Sequence, residues 1–142
     1  MLVETPSLLI TDDDTEFRHT LHSVFEPQGF RVLEAGDGEE ALHIVCTQEV
    51  HLVLLDMHMP KLTGLETLQL VRQINELLPA ILITADATLE LMRQAFHAQV
   101  FSVVPKPVNP NVILSTVLRA LGRVYGTVDE PPQKPAFGEP TQ

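Results

Sequence analysis

Short, wholly apolar runs alternate along the chain with longer stretches in which apolar residues recur every three or four positions. Leu8-Leu9-Ile10, Leu52-Val53-Leu54-Leu55 and Ala80 to Ile83 are continuous apolar runs, the pattern of strands covered on both faces. Phe17, Leu21, Val24 and Phe25 follow the first run at helical spacing. Ala41, Leu42 and Val45 mark a second helix, Leu65, Leu68 and Val71 a third, and Leu89, Met92 and Phe96 a fourth. In a fifth, Ile113, Val117, Leu118 and Leu121 are expected to face inward. Two weaker strands complete the pattern. Phe30 to Ala35 is half polar, and the segment holding Phe101, Val103 and Val104 is interrupted by Ser102.

The punctuation agrees. Gly29 stops the first helix and Asp37-Gly38 turns into the second. Thr63 and Glu66 have capping-box spacing, and Pro79 closes the third unit. Asn109 is an N-cap with Pro110 at the first helical position, and Gly122 or Gly126 ends the last helix. Strict alternation of five strands and five helices predicts an α/β, doubly wound parallel sheet with helices on both faces. The two mixed strands belong at its edges, which the order 2-1-3-4-5 of flavodoxin-like folds satisfies. Right-handed crossovers then decide which helices cover which face. This domain is read over residues 1–126. Residues 127–142 hold Pro131, Pro132, Pro135 and Pro140 with little apolar content, and are expected to be a disordered tail or linker stub.

Composition narrows the classes. The 142 residues are 44% hydrophobic and 20% charged, ordinary for one globular domain. Nineteen acidic residues against nine basic ones give a net charge of −10, and the basic residues are scattered. Such a chain has no cationic cluster for phosphate backbones, so direct nucleic-acid binding is not expected. Cys46 is the single cysteine and excludes an intrachain disulfide; a core or helix-end position in a reducing, cytoplasmic compartment is expected for it. There is no secretory-signal pattern at the start and no apolar run of membrane-spanning length.

In an open parallel sheet, ligands bind beyond the carboxyl ends of the strands, where strand order reverses. The first strand runs into Asp12-Asp13-Asp14, the third into Asp56, the fourth into Thr84, and the fifth leads to Lys106. Taken singly, these are a helix N-cap cluster, a turn residue, a strand-end residue and a loop lysine. Taken together they place carboxylates, a hydroxyl and an ammonium in one shallow pocket. Two carboxylates 4 Å apart repel by about 4 kcal/mol at an effective dielectric of 20. A hard divalent cation, Mg²⁺ in particular, offsets that repulsion, with Lys106 as a second positive charge. The set suits phosphoryl transfer to a carboxylate nucleophile.

The motifs LLITDD (Leu8–Asp13), LVLLDMHMPKLTGLE (Leu52–Glu66), ILITA (Ile81–Ala85) and VPKPV (Val104–Val108) carry a resemblance to the receiver domain of bacterial response regulators, CheY-like, over residues 6–124. The resemblance implies that Asp56 is the phosphoacceptor and that Asp13 is a direct Mg²⁺ ligand, with Asp12 assisting through water. The backbone carbonyl of His58 would be a further ligand. Thr84 and Lys106 would reach phosphoryl oxygens, His58 and Asp86 would modulate phosphoryl lifetime, and Lys106–Pro107 would be cis. The partners implied are a sensor histidine kinase or histidine phosphotransfer protein as phosphodonor and an unknown downstream protein. One departure concerns the switch: Val103 occupies the position three before the lysine where many receivers carry an aromatic. Phe101 is expected on the same face, farther from the pocket, and Pro105 replaces the more usual small hydroxyl residue. Two other functions compete. A degenerate receiver acting only as a binding module conflicts with the intact Asp13, Asp56, Thr84 and Lys106. A haloacid-dehalogenase-type phosphohydrolase needs an aspartate two residues after the nucleophile, where this chain has His58. The other histidines (His19, His22, His43, His51, His97) fall on different elements and are read as surface or packing residues.

Overall fold

A computed structural model describes residues 4–126; the tail expected over 127–142 lies outside them. Five strands, β1 (Ser7–Thr11), β2 (Arg31–Ala35), β3 (Leu52–Asp56), β4 (Ala80–Thr84) and β5 (Ser102–Pro105), form one sheet in the order 2-1-3-4-5. All four pairings are parallel. The helices are α1 (Thr15–Phe25), α2 (Gly38–Thr47), α3 (Gly64–Ile74), α4 (Leu89–His97) and α5 (Pro110–Tyr125).

Alternation along each strand divides the core into two layers. Leu8, Ile10, Leu52, Leu54, Ile81, Ile83 and Val104 pack with Leu21 and Phe25 of α1 and Ile113, Val117 and Ala120 of α5. Leu9, Val53, Leu55 and Leu82 point the other way, against Ala41 and Ile44 of α2, Leu68 and Val71 of α3, and Leu91 and Ala95 of α4. The three central strands are buried along their whole length, whereas β2 and β5 are mixed and lie at the edges.

The helix ends follow the expected side-chain chemistry. Thr63 and Glu66 close a reciprocal capping box, Asn109 accepts from the amides of Asn111 and Val112, and Gly126 caps α5. The first helix ends at Phe25, a turn before Gly29; a short 3-10 turn, Glu26–Gln28, intervenes, and Gly29 ends it with φ 94°. At the opposite end of the molecule, the Tyr125 hydroxyl donates to the carbonyl of His51 at 3.0 Å. The two rings meet edge-on with centroids 5.4 Å apart.

Five side chains differ from expectation. Leu89, Met92 and Phe96 are exposed, by 78%, 44% and 79%. Helix α4 instead buries Leu91 and Ala95, four residues apart, and the larger apolar trio forms a second stripe turned toward solvent. Leu118 is likewise exposed, because α5 buries 113, 116, 117, 120 and 121 and position 118 lies about 100° around the helix from 117. Cys46, expected in the core or at a helix end, takes the helix-end position: it lies in the last turn of α2 and is exposed. Phe101 does not share a face with Val103: it precedes β5, so strand alternation does not reach it, and it packs with the α1–α5 layer while Val103 packs with the other. Arg119 and Arg123 lie over the Phe101 ring at 5.8 and 5.7 Å.

Candidate functional site

Asp56 is the last residue of β3 and Thr84 the last of β4; Asp12 directly follows β1 and Lys106 directly follows β5. Backbone bonds extend the sheet ladder past the strand ends and fix these positions. The amide of Asp12 donates to the carbonyl of Ala35 at 3.1 Å, that of Met57 to Ile83 at 2.8 Å, and that of Lys106 to Thr84 at 2.8 Å. The Lys106–Pro107 peptide is cis, as the resemblance implies.

The Lys106 ammonium lies 3.2 Å from Oδ2 of Asp12 and 3.1 Å from Oδ1 of Asp56, both carboxylates being almost wholly buried. Asp13, exposed beside them, completes a set in which each of Asp12, Asp13 and Asp56 offers an oxygen within 4.8 Å of the others. Burial pushes the Asp56 carboxyl above its ordinary range, and repulsion by Asp12 adds to this. Burial also pushes Asp12 up, against the hydrogen bond from the Asp14 amide and the attraction of Lys106. Burial alone would lower Lys106, but its hydrogen bond to Asp56 and the field of Asp12 raise it and keep it charged. One ammonium thus opposes three carboxylates, a deficit that suits a hard cation with oxygen ligands.

The N-cap reading of Asp12–Asp14 holds for Asp14, which accepts from the amides of Glu16 and Phe17. This leaves Asp12 and Asp13 to the pocket. Thr84 is fully buried and its hydroxyl accepts from the Asp86 amide at 3.1 Å; its own proton remains to be donated. The side chains of His58 and Asp86 are exposed at the rim. Among the other histidines, His51 is buried with Nδ1 accepting from the Ser7 amide at 2.9 Å, and His22 pairs with Glu34 at 2.7 Å. His51 is thus a packing residue, and His22 a part-exposed one that pairs across to β2.

Three residues at the site escaped the sequence reading. The Phe17 ring packs against the α1–α5 core layer, as its spacing suggests, and also lies with its centroid 4.5 Å from the Lys106 ammonium. Arg18 donates to the carbonyl of Asp12 at 2.5 Å. Gly64 donates its amide to Met57 at 2.9 Å, and a Cβ there would meet the Asp56 carbonyl oxygen at 2.5 Å. The glycine therefore lets α3 start tight against the end of β3, a role to which the run of motif residues around it is the only sequence clue.

The response regulator receiver domain family matches residues 8–118. The chain belongs to that family, the phosphoacceptor domains of two-component signalling, which is not a conventional enzyme family. It is similar to the transcriptional regulatory protein CpxR of Escherichia coli, with 34% identity over 135 residues, covering 94% of this chain and 56% of the relative. It therefore spans about half the length of that relative. It is also 32% identical to sporulation initiation phosphotransferase F of Bacillus subtilis, over 80% of this chain and 92% of that protein. A CheY-like receiver domain from Methanospirillum hungatei superposes with a TM-score of 0.81 at 27% identity, covering 84% of this chain and 95% of that one. Among the described residues, no helix is long and apolar enough to cross a membrane.

Proposed function

We propose that Asp56 accepts a phosphoryl group from a phosphohistidine on a sensor histidine kinase or a histidine phosphotransfer protein. The observation that carries this reading is the Lys106 ammonium held between the buried carboxylates of Asp12 and Asp56. A carboxylate oxygen of Asp56 attacks phosphorus, the P–O bond forms as the P–N bond breaks, and the leaving imidazole takes a proton from solvent. Lys106, held protonated, pairs with one phosphoryl oxygen. Thr84 donates its hydroxyl proton to another while still accepting from Asp86.

The donor set is wholly carboxylate and short of positive charge, which fits Mg²⁺. Asp13, Asp56 and the His58 carbonyl would hold the ion, with Asp12 assisting. When bound it supplies charge neutralisation for the phosphoryl oxygens. His58 and Asp86 each lie two residues beyond a pocket residue and have exposed side chains, so we assign them the tuning of phosphoryl lifetime. The domain, read over residues 1–126, would act in the cytoplasm, where ATP-fed phosphohistidine donors are made. It would signal by contact with a downstream protein, without binding nucleic acid or membrane itself. Intact-mass measurement after treatment with acetyl phosphate and Mg²⁺ tests the assignment. One added phosphoryl group is expected, lost in Asp56→Asn; its persistence in that variant overturns the reading.

A further inference from the structure

Arg18 is placed against the trend of its charge. It lies near the start of α1, at the positive end of the helix macrodipole, where cations are disfavoured. Its side chain is nevertheless only 15% exposed, and it folds back toward the helix start. Nη1 donates to the Asp12 carbonyl at 2.5 Å, Nε to Oε1 of Glu34 at 3.0 Å, and Nη2 to the Thr15 hydroxyl at 3.4 Å. The other Glu34 oxygen lies 2.7 Å from Nδ1 of His22. Glu34 thus neutralises the guanidinium locally and holds its plane.

The contact with Asp12 completes a pattern. The Asp12 amide is held by Ala35, Oδ1 by the Asp14 amide at 2.8 Å, and Oδ2 by Lys106. With Arg18 on the carbonyl, every polar atom of Asp12 has a partner. That carbonyl belongs to the peptide joining Asp12 to Asp13, and among the described residues the exposed Asp13 makes no hydrogen bond of its own. The direction in which the Asp13 side chain leaves the backbone therefore depends on the peptide plane that Arg18 holds.

We infer that Arg18 is a positioning residue for divalent-cation binding: through the Asp12 carbonyl it sets the peptide from which Asp13 reaches the pocket, and Glu34 sets Arg18. The inference rests on reading the pocket as a Mg²⁺ site. The sign of its test separates geometry from charge. As a mere positive charge beside the pocket, Arg18 would repel the cation, and removing it would tighten binding. As a positioning group, removing it loosens binding, by about tenfold for an outer-shell partner of this kind.

The experiment is calorimetric titration of Mg²⁺ alone into the full chain, well below its melting temperature. Arg18→Gln is expected to weaken affinity about tenfold and Glu34→Gln about threefold. The double variant is expected to be no weaker than Arg18→Gln, because Glu34 acts through Arg18. Val117→Ala, remote in α5 and fully buried, is expected to lower the melting temperature and leave Mg²⁺ affinity unchanged. Unchanged or tighter binding by Arg18→Gln overturns the inference, as does an equal loss in Val117→Ala. Additive losses in the double variant overturn the role of Glu34. If Arg18→Gln does not fold, unchanged affinity in both Arg18→Lys and Glu34→Gln overturns it instead. Failure of the unaltered chain to bind Mg²⁺ is a different result, and it overturns the reading of the pocket itself.

Discussion

Asp56 carries its charge at the end of a buried strand, 4% exposed and beside a second buried carboxylate. Burial and Asp12 raise its folded pKa above the unfolded value of 3.8. For an acid, a raised folded value means that ionisation at neutral pH favours the unfolded chain. Asp56→Asn removes that charge and leaves Lys106 paired with Asp12. The expected outcome is a metal-free protein stabilised by ~1 kcal/mol, a rise of about 3–6 °C in melting temperature for a domain of this size. Melts in chelator at pH 7 check this, and an equal or lower melting temperature argues against a strained acidic pocket. In saturating Mg²⁺ the order should reverse, because a ligand that binds only the folded state stabilises the chain that holds it. At this scale the sequence was informative where chemistry is carried by residue type at a strand end: Asp12, Asp13, Asp56, Thr84 and Lys106 all converge. It was silent on Phe17 and Arg18. Their spacing on α1 speaks of helix faces, while their roles depend on how far a ring or a guanidinium reaches across space.

Between elements, the α1–β2 contact is electrostatic. His22 and Glu34 join the helix to an edge strand, with side chains 32% and 21% exposed. The hydrogen bond to Glu34 raises the His22 pKa above 6.5. Burial pushes Glu34 up, but the bonds from His22 and Arg18 outweigh it and hold the carboxyl below 4.5. The stabilisation from His22 is therefore complete below pH 6.5 and is lost as pH rises through its raised folded value. On the acid side it is lost as pH falls through the lowered value of Glu34. His22→Gln should destabilise by up to about 1 kcal/mol at pH 6 and by markedly less at pH 8.5. Paired melts at the two pH values measure this, and a loss independent of pH contradicts it.

Helix α4 behaves differently, since it grips the core through only Leu91 and Ala95. The bond from the Asp86 amide to the Thr84 hydroxyl couples its approach segment to the pocket. With Val103 in place of an aromatic, the expected response to beryllofluoride is altered hydrogen exchange over residues 85–96, with little change at 101–104. The reverse distribution refutes that coupling. The position of this helix was legible in the sequence, but the face it buries was not. Leu89, Met92 and Phe96 present three large apolar groups at helical spacing against the one large group and the small Ala95 of the buried stripe, so spacing and bulk pointed to the wrong face.

Across the whole molecule, the alternation of apolar runs and periodic stretches was enough to give a parallel sheet covered on both faces and its two edge strands, because burial on one or two faces leaves a direct mark on composition; the order 2-1-3-4-5 came from the known fold that satisfies those edges. What it could not give were departures from regularity, such as Phe101 just outside β5. The latch between Tyr125 and His51 adds a geometric consequence. It pins the last turn of α5 to the start of β3, whereas the phosphoacceptor sits at that strand's other end, five residues along. At about 3.3 Å per residue, the sheet separates the two by ~13–17 Å. Gly126, the last described residue, therefore sits at the pole opposite the pocket, like a cleat at the stern. A donor that reaches the pocket approaches the bow, and meets neither Tyr125 nor His51 on the way in.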